Sequence, residues 1–329
     1  MGAPFHRNIL LVGAGFSKDF GGLLSSELWA KLFNHPDVQA SPKLQKTMKE
    51  SRFGFNFEKI YAHLREEERR LLPPFSEAIS DVFLEMDTEF RSEKYRSGIS
   101  LSYLFAWLRE FVGTRSAPGF IFSLNQDLLF ERLSGDGFLP HLPCVPGRAQ
   151  AREVESTRTV GAVQIPLYGT FPRLDSELRA CNLIKLHGSC NWTSTGKKSE
   201  RILILGDSRA KATQIMYGQF LHSYYLLMRE VLERRGGTLW IVGYGFNDAH
   251  VNDNISRGIQ KGGLRVFIVC PERPDQFFRQ LPAKPAGCSI LTGVAGYFPY
   301  SVREMFPAGG SPARAYAETM SLLRPGVER

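Results

Sequence analysis

The sequence predicts an α/β fold: an open, mostly parallel sheet interrupted by a helical insertion. Three observations carry this reading. Short apolar runs of strand length end in glycine or polar clusters that lead into helical segments. Thr238–Val242, Gly243–Phe246, Asp248–Gln260 and Arg265–Cys270 read as strand, glycine turn, helix and strand, a compact unit whose strands must be parallel with a right-handed crossover. Between the first two strands, apolar residues recur at the three-and-four spacing of amphipathic helices.

In chain order, Asn8–Val12 reads as a buried strand running into Gly13-Ala14-Gly15. Leu23–Phe33 has helical character, with Ser25 or Ser26 as its cap. Helical stripes follow at Phe57, Ile60, Tyr61 and Leu64, and at Phe75, Ile79, Val82, Phe83 and Met86. Phe120–Leu124 is the next strand; Asn125-Gln126-Asp127 ends it and a short helix over Leu128–Leu133 is expected. Pro140–Pro172 is irregular, with one exposed hairpin around Val163–Leu167. Leu183–Leu186 is a strand ending at His187-Gly188, and Ile202–Leu205 is short and apolar. Gln214–Arg234 is a long helix with Phe220, Tyr224, Leu227, Met228, Val231 and Leu232 on one core stripe. The chain is read as one domain over 1–329, with the insertion at 34–113 and a tail helix within 306–329.

Composition bounds the function classes. The 329 residues are 43% apolar and 22% charged, which excludes wholesale disorder and collagen-like repeats. The longest apolar runs are strand-sized, far below the ~20 residues that cross a bilayer, so no membrane span is expected. Five cysteines (Cys144, Cys181, Cys190, Cys270 and Cys288), with no Cys-x-x-Cys pair, argue against a zinc ribbon or a disulfide framework. Reduced thiols and the lack of a signal peptide point to the cytoplasm, and His6 stands where myristoylation needs Ser or Thr. The net charge of +8 permits contact with DNA or an acidic partner, but no Lys/Arg block with interleaved aromatics marks a groove.

In an open parallel sheet, ligands bind outside the carboxyl ends of the strands. Four clusters fall there. Gly13, Ala14, Gly15, Phe16 and Ser17 form a strand–helix turn able to approach a phosphate, or simply a tight turn. Lys18 stands where the dinucleotide fingerprint needs its third glycine, which disfavours an ordinary dehydrogenase. Asn125 can orient a ribose hydroxyl or a water; Asp127 can bind an amide or only cap the next helix. His187 is either structural or a general base, since its pKa lies near neutral pH. Cys190, three residues on, carries no mark of an activated thiol. Gly243 and Gly245, with Phe246 and Asp248, form a second glycine turn, in which Asn247 or Asp248 can cap the helix. The seven histidines show no metal-ligand spacing, and no metal is expected.

Taken in order, Gly-Ala-Gly-Phe-Ser at 13–17, Asn-x-Asp at 125–127, His-Gly at 187–188 and Gly-x-Gly at 243–245 resemble the sirtuin superfamily. Leu-His-Gly-Ser at 186–189 and Gly-Tyr-Gly-Phe-Asn-Asp at 243–248 are similar to its bacterial SIR2-like, NAD-hydrolysing branch in antiphage defence. The four-cysteine zinc module of deacetylases is missing, and Lys18-Asp19-Phe20-Gly21-Gly22 replaces their Ile-Pro-Asp-Phe-Arg loop. The resemblance implies a Rossmann-like sheet, NAD+ as substrate, and Asn125 and His187 as the catalytic pair. It implies that Asp127 faces the nicotinamide, that Gly13, Ala14, Gly15, Phe16 and Ser17 cradle the phosphates and cover the nicotinamide ribose, that Gly243 and Gly245 approach the adenosine, and that the strand end near Cys270 flanks the adenine. Asp19, Phe246 and Asp248 join the expected binding set. The implied activity is release of nicotinamide and ADP-ribose, controlled by homo-oligomerisation or by a partner such as a HerA-type ATPase, an Argonaute-like protein or another defence sensor. The alternatives are a non-catalytic NAD/ADP-ribose-binding module, a deacylase or ADP-ribosyltransferase, and a nucleic-acid-binding component.

Overall fold

The computed structural model describes residues 4–136, 152–153, 163–164, 178–193, 201–203, 219–309 and 312–324. Ten strands are found among these: β1 (Asn8–Val12), β2 (Gly119–Ser123), β3 (Arg152–Glu153), β4 (Val163–Gln164), β5 (Cys181–Lys185), β6 (Gly188–Thr193), β7 (Arg201–Leu203), β8 (Thr238–Val242), β9 (Arg265–Val269) and β10 (Val294–Phe298). Six of them form the main sheet in the order β10-β9-β8-β1-β2-β5. Every neighbouring pair in it is parallel. β3, β4, β6 and β7 form a smaller sheet of mixed direction.

The inner strands β1, β2 and β8 read NILLV, GFIFS and TLWIV, and all their residues are buried. Such near-continuous apolar runs belong to parallel strands covered on both faces. β5 begins two residues earlier than the apolar run suggested, because it includes the buried Asn182. The Asn182 amide donates to the Gly119 and Arg179 carbonyls and accepts from the Arg179 N–H, which makes a polar residue tolerable inside the sheet. β10, an edge strand with a register shift at Gly296, has no counterpart in the sequence reading. A Cβ at Gly296 would come within 2.6 Å of the Phe267 ring.

The long crossover from β1 to β2 begins with α1 (Ala14–Lys18) and continues as α2 (Ser25–Phe33), α3 (Pro36–Gln39), α4 (Pro42–Met48), α5 (Phe57–Glu66), α6 (Leu72–Glu89), α7 (Glu93–Arg96) and α8 (Leu101–Leu108). Neither serine caps α2. Ser25 is already its first residue, and the Glu27 carboxylate instead accepts the Leu24 N–H at 2.8 Å. The expected stripes face inward: Phe57, Ile60 and Leu64 of α5 and Phe75, Ile79, Val82, Phe83 and Met86 of α6 are buried in one contiguous cluster with the sheet residues. Tyr61 is only partly buried against it. α9 (Leu129–Gly135) follows β2 and is tied to α6 by the pairing of Arg132 with Asp87.

The helix Gln219–Glu233 matches the expected long helix, whose residues 214–218 lie outside the described residues. The helix Ala249–Arg257 runs on as a π-helical turn, Gly258–Gly262, and stops at Gly263 with φ +64°. Val163–Gln164 does pair antiparallel, with Arg152–Glu153; residues 165–167 of the expected hairpin, and most of Pro140–Pro172, lie outside the described residues. The tail helix Arg314–Leu323 is held to the start of β1 by the Asn8 amide, which donates to the Leu323 carbonyl at 3.1 Å. Among the described residues no helix is long and apolar enough to cross a membrane.

Candidate functional site

From β1 the chain crosses to β2 and β5 on one side, then returns to β8 on the other. The connections therefore diverge between β1 and β8, and such a switch point leaves a crevice at the carboxyl ends of the strands. A cavity of about 510 Å³ opens there, within the size range of small-molecule sites. Backbone bonding continues one residue past the strands. Leu124 N–H donates to Val12 O, Leu186 to Ser123, Gly13 to Val242 and Gly243 to Val269. The four clusters are thus fixed in line along one edge.

All four clusters contribute to the cavity wall, through Gly13, Ala14 and Gly15, Asn125 to Asp127, His187, and Gly243, Gly245 and Asp248. The helical crossover from β1 to β2 covers it with Leu24, Leu28, Phe57 and Met86. Asp19 also lines it, with its carboxylate accepting the Arg303 N–H at 2.8 Å. Cys270 lines the far wall, and burial pushes its thiol up.

Phe16, Ser17 and Phe246 do not line the cavity. Phe16 is buried and stacks on Phe130 with ring centres 5.2 Å apart. Phe246, at φ +55°, packs between Tyr244 and Phe277. Ser17 lies beneath the wall and serves Asn125 and Asp127. These three residues support the site from behind. Cys190 is likewise buried and outside the cavity wall.

The glycines are needed for a reason the sequence did not suggest. A Cβ on Gly13 would lie 2.7 Å from Gly243 O, and one on Gly15 would lie 2.7 Å from Gly243 Cα. Gly243 has φ +63°, and its Cβ would reach 2.4 Å from Phe16 N. The two turns interlock, with the Gly15 N–H bonded to Gly243 O at 2.9 Å. The N–H groups of Gly13, Gly15 and Phe16 all have carbonyl acceptors, so they are not open phosphate donors.

Asn125 is held by its own amide. Nδ2 donates to Gly13 O at 3.0 Å and to Ser17 Oγ at 2.9 Å. Ser17 Oγ in turn donates to Asp127 Oδ2 at 2.7 Å. A carbonyl acceptor at Gly13 fixes which end of the amide carries the protons, leaving Oδ1 as the end available to a ligand. Asp127 Oδ1 accepts the Leu129 N–H at 3.1 Å, so this carboxylate also supports the helix start, although the helix begins at Leu129 and Leu128, not Asp127, stands at its cap position. Burial pushes the Asp127 carboxyl above its ordinary value. Lys185, fully buried at the end of β5, donates to Asp127 O, to Ser189 Oγ at 2.8 Å and to Glu131 Oε1 at 3.1 Å.

His187 sits in the turn between β5 and β6, where Gly188 at φ +77° lets the chain reverse. Its Nε2 lies 3.3 Å from Nε2 of His250, in the first turn of the helix Ala249–Arg257. Asp248 precedes that helix, and its side chain makes no capping bond. His187, Asp248 and His250 each direct a donor atom to one place, all within 4.8 Å of one another. Sequence spacing concealed this group, because residues 187 and 250 meet only when β5 and β8 share an edge. The sequence reading missed His250 and Lys185. The only local signal for His250 was its place two residues after Asp248, at a turn already marked by glycines.

The family model of the SIR2-like domain matches residues 120–286, just over half of the 329. The chain belongs to the SIR2-like domain family. The matched range contains Asn125, His187, Gly243 and Gly245, while the turn at 13–17 lies before it. SIR2-like domains bind NAD+, which points to an NAD-related function for this chain. Comparison with curated proteins gives no match.

Proposed function

We propose that the chain is an NAD+ glycohydrolase that releases nicotinamide and ADP-ribose. One observation supports this above the others: Asn125 and His187, from the turns that follow β2 and β5, line the same cavity at the switch point of a SIR2-like sheet.

The bond from ribose to nicotinamide is already weakened, because the leaving group departs neutral. The transition state is an oxocarbenium ion, so the protein has to hold the ribose and direct water to it. Asn125 Oδ1 accepts from a ribose hydroxyl or the attacking water, and its tethered Nδ2 keeps that oxygen in place. The His187 imidazole accepts a proton by way of the ribose hydroxyls, a step that contributes about 10²–10⁴-fold in rate. Asp127 faces the nicotinamide end of the site, and the apolar cover from Leu28, Phe57 and Met86 excludes bulk water. Asp19, Asp248 and the glycine turns shape the rest of the wall.

In this reading the enzyme is an NAD-depleting effector of bacterial antiphage defence, held in check by oligomerisation or a partner protein. The support for that part is the motif resemblance alone. The test is to incubate the purified chain with NAD+, alone and with the product of the neighbouring gene, and to quantify nicotinamide and ADP-ribose. Release of both in equal amounts is expected. NAD+ binding without release under either condition would leave a binding module instead.

A further inference from the structure

The proposed hydrolysis uses His187 as a proton acceptor but does not account for His250 converging on it together with Asp248. Its two imidazoles come from opposite sides of the crevice, one from the β5–β6 turn and one from the helix after β8, and meet through their Nε2 atoms at 3.3 Å. His187 is buried, and the His250 ring packs edge-on to Tyr225 at 5.1 Å, so neither is a freely swinging surface side chain. Two imidazole nitrogens bound at ~2.0–2.1 Å to a tetrahedral zinc ion lie about 3.3–3.4 Å apart. The observed separation, which also suits a hydrogen bond between the two rings, matches that of two zinc-bound imidazoles, and the Asp248 carboxylate lies near enough, with all three donor atoms within 4.8 Å of one another, to close in as a third ligand. His187 and Asp248 both line the cavity, so a fourth position would open toward it.

We propose that His187, Asp248 and His250 bind a divalent cation of the zinc class, and that the bound ion holds hydrolysis off. The second half rests on the NAD+ glycohydrolase reading; the first does not. A neutral imidazole has one lone pair. Coordination at Nε2 takes it from His187, leaves Nδ1 as N–H, and releases to solvent any proton shared between the two rings. The metal-bound histidine has no site left to accept a proton from the ribose.

The test uses cobalt(II) as a spectroscopic stand-in for zinc, on the purified full chain without NAD+. The expected result is a visible ligand-field spectrum saturating at one ion per chain and erased by zinc. It should be lost in His250→Gln and weakened at least tenfold in Asp248→Asn. A native chain without the spectrum, or one that keeps it in both variants, overturns the site. Nicotinamide release is then compared with zinc and with a chelator, as a ratio within each protein. Zinc should slow the native chain at least tenfold and leave the His250→Gln ratio near one. A metal spectrum with undiminished release overturns the brake, while NAD+ hydrolysis itself stands. A chain that binds cobalt but never releases nicotinamide refutes the hydrolase reading, and with it the brake, and upholds the metal site.

Discussion

The two walls of the crevice are built differently. On the Asn125 side the polar atoms form a directed chain from Asn125 Nδ2 through Ser17 Oγ to Asp127 Oδ2, with Lys185 fixing the backbone behind it. On the His187 side, two imidazoles and a carboxylate converge, their donor atoms all within 4.8 Å of one another. The first wall holds one atom, Asn125 Oδ1, in a single orientation. The second gathers two imidazoles and a carboxylate, the groups to which the proposals above give proton transfer and metal binding. In the proposed reaction, positioning and proton transfer therefore fall to separate elements, the turn after β2 and the turns after β5 and β8, and each can be perturbed without rebuilding the other.

The largest expected effect on stability is at Lys185. Lys185→Met leaves the buried Glu131 carboxylate and the Asp127 carbonyl without their donor, which costs about 3–5 kcal/mol in chemical denaturation. A loss below ~1 kcal/mol would show that the first wall does not depend on this ion. Ser17→Ala removes the middle of the directed chain and should cost about 1–3 kcal/mol. Turnover should fall in the same variant although Ser17 does not line the cavity; unchanged turnover would detach Asn125 from its support. Next is the floor shared by both walls. Gly243→Ala must adopt φ +63° with its Cβ against Phe16 N, and should lower stability by more than ~1 kcal/mol. Gly245→Ala meets only Asn247 Nδ2, at 3.2 Å, and should melt close to the native chain.

The smallest effect is a pH dependence. Burial raises the Asp127 carboxyl above its unfolded value, so folding favours its protonated form. That contribution is present below the unfolded pKa and is lost as pH rises through the folded one. Asp127→Asn lacks it, so its stability relative to the native chain should improve from acid to neutral pH, as thermal melts across that range will show. A flat difference would mean that Ser17, Leu129 and Lys185 already offset the burial.

The sequence made legible what apolar patterning controls. β1, β2 and the β8–helix–β9 unit follow from unbroken apolar runs closed by glycine or polar clusters, and the α5 and α6 stripes from their spacing. β5 was read two residues short because Asn182 is polar in isolation and acceptable only with Gly119 and Arg179 beside it. That Asn125 and His187 line the cavity was legible because each closely follows an apolar strand run. His250 and Lys185 were not, since their significance comes from neighbours 63 and 58 residues away. The glycines were found for one reason and are needed for another: pattern marks where a side chain is forbidden, and only packing shows what forbids it.

The most direct measurement of the central claim is single-turnover nicotinamide release by Asn125→Ala and His187→Ala, with NAD+ binding followed on the same samples. Both variants should fold and bind NAD+, yet release nicotinamide at least ~10²-fold more slowly than the native chain. Release at the native rate by either variant would contradict a shared ribose site for the Asn125 amide and the His187 imidazole.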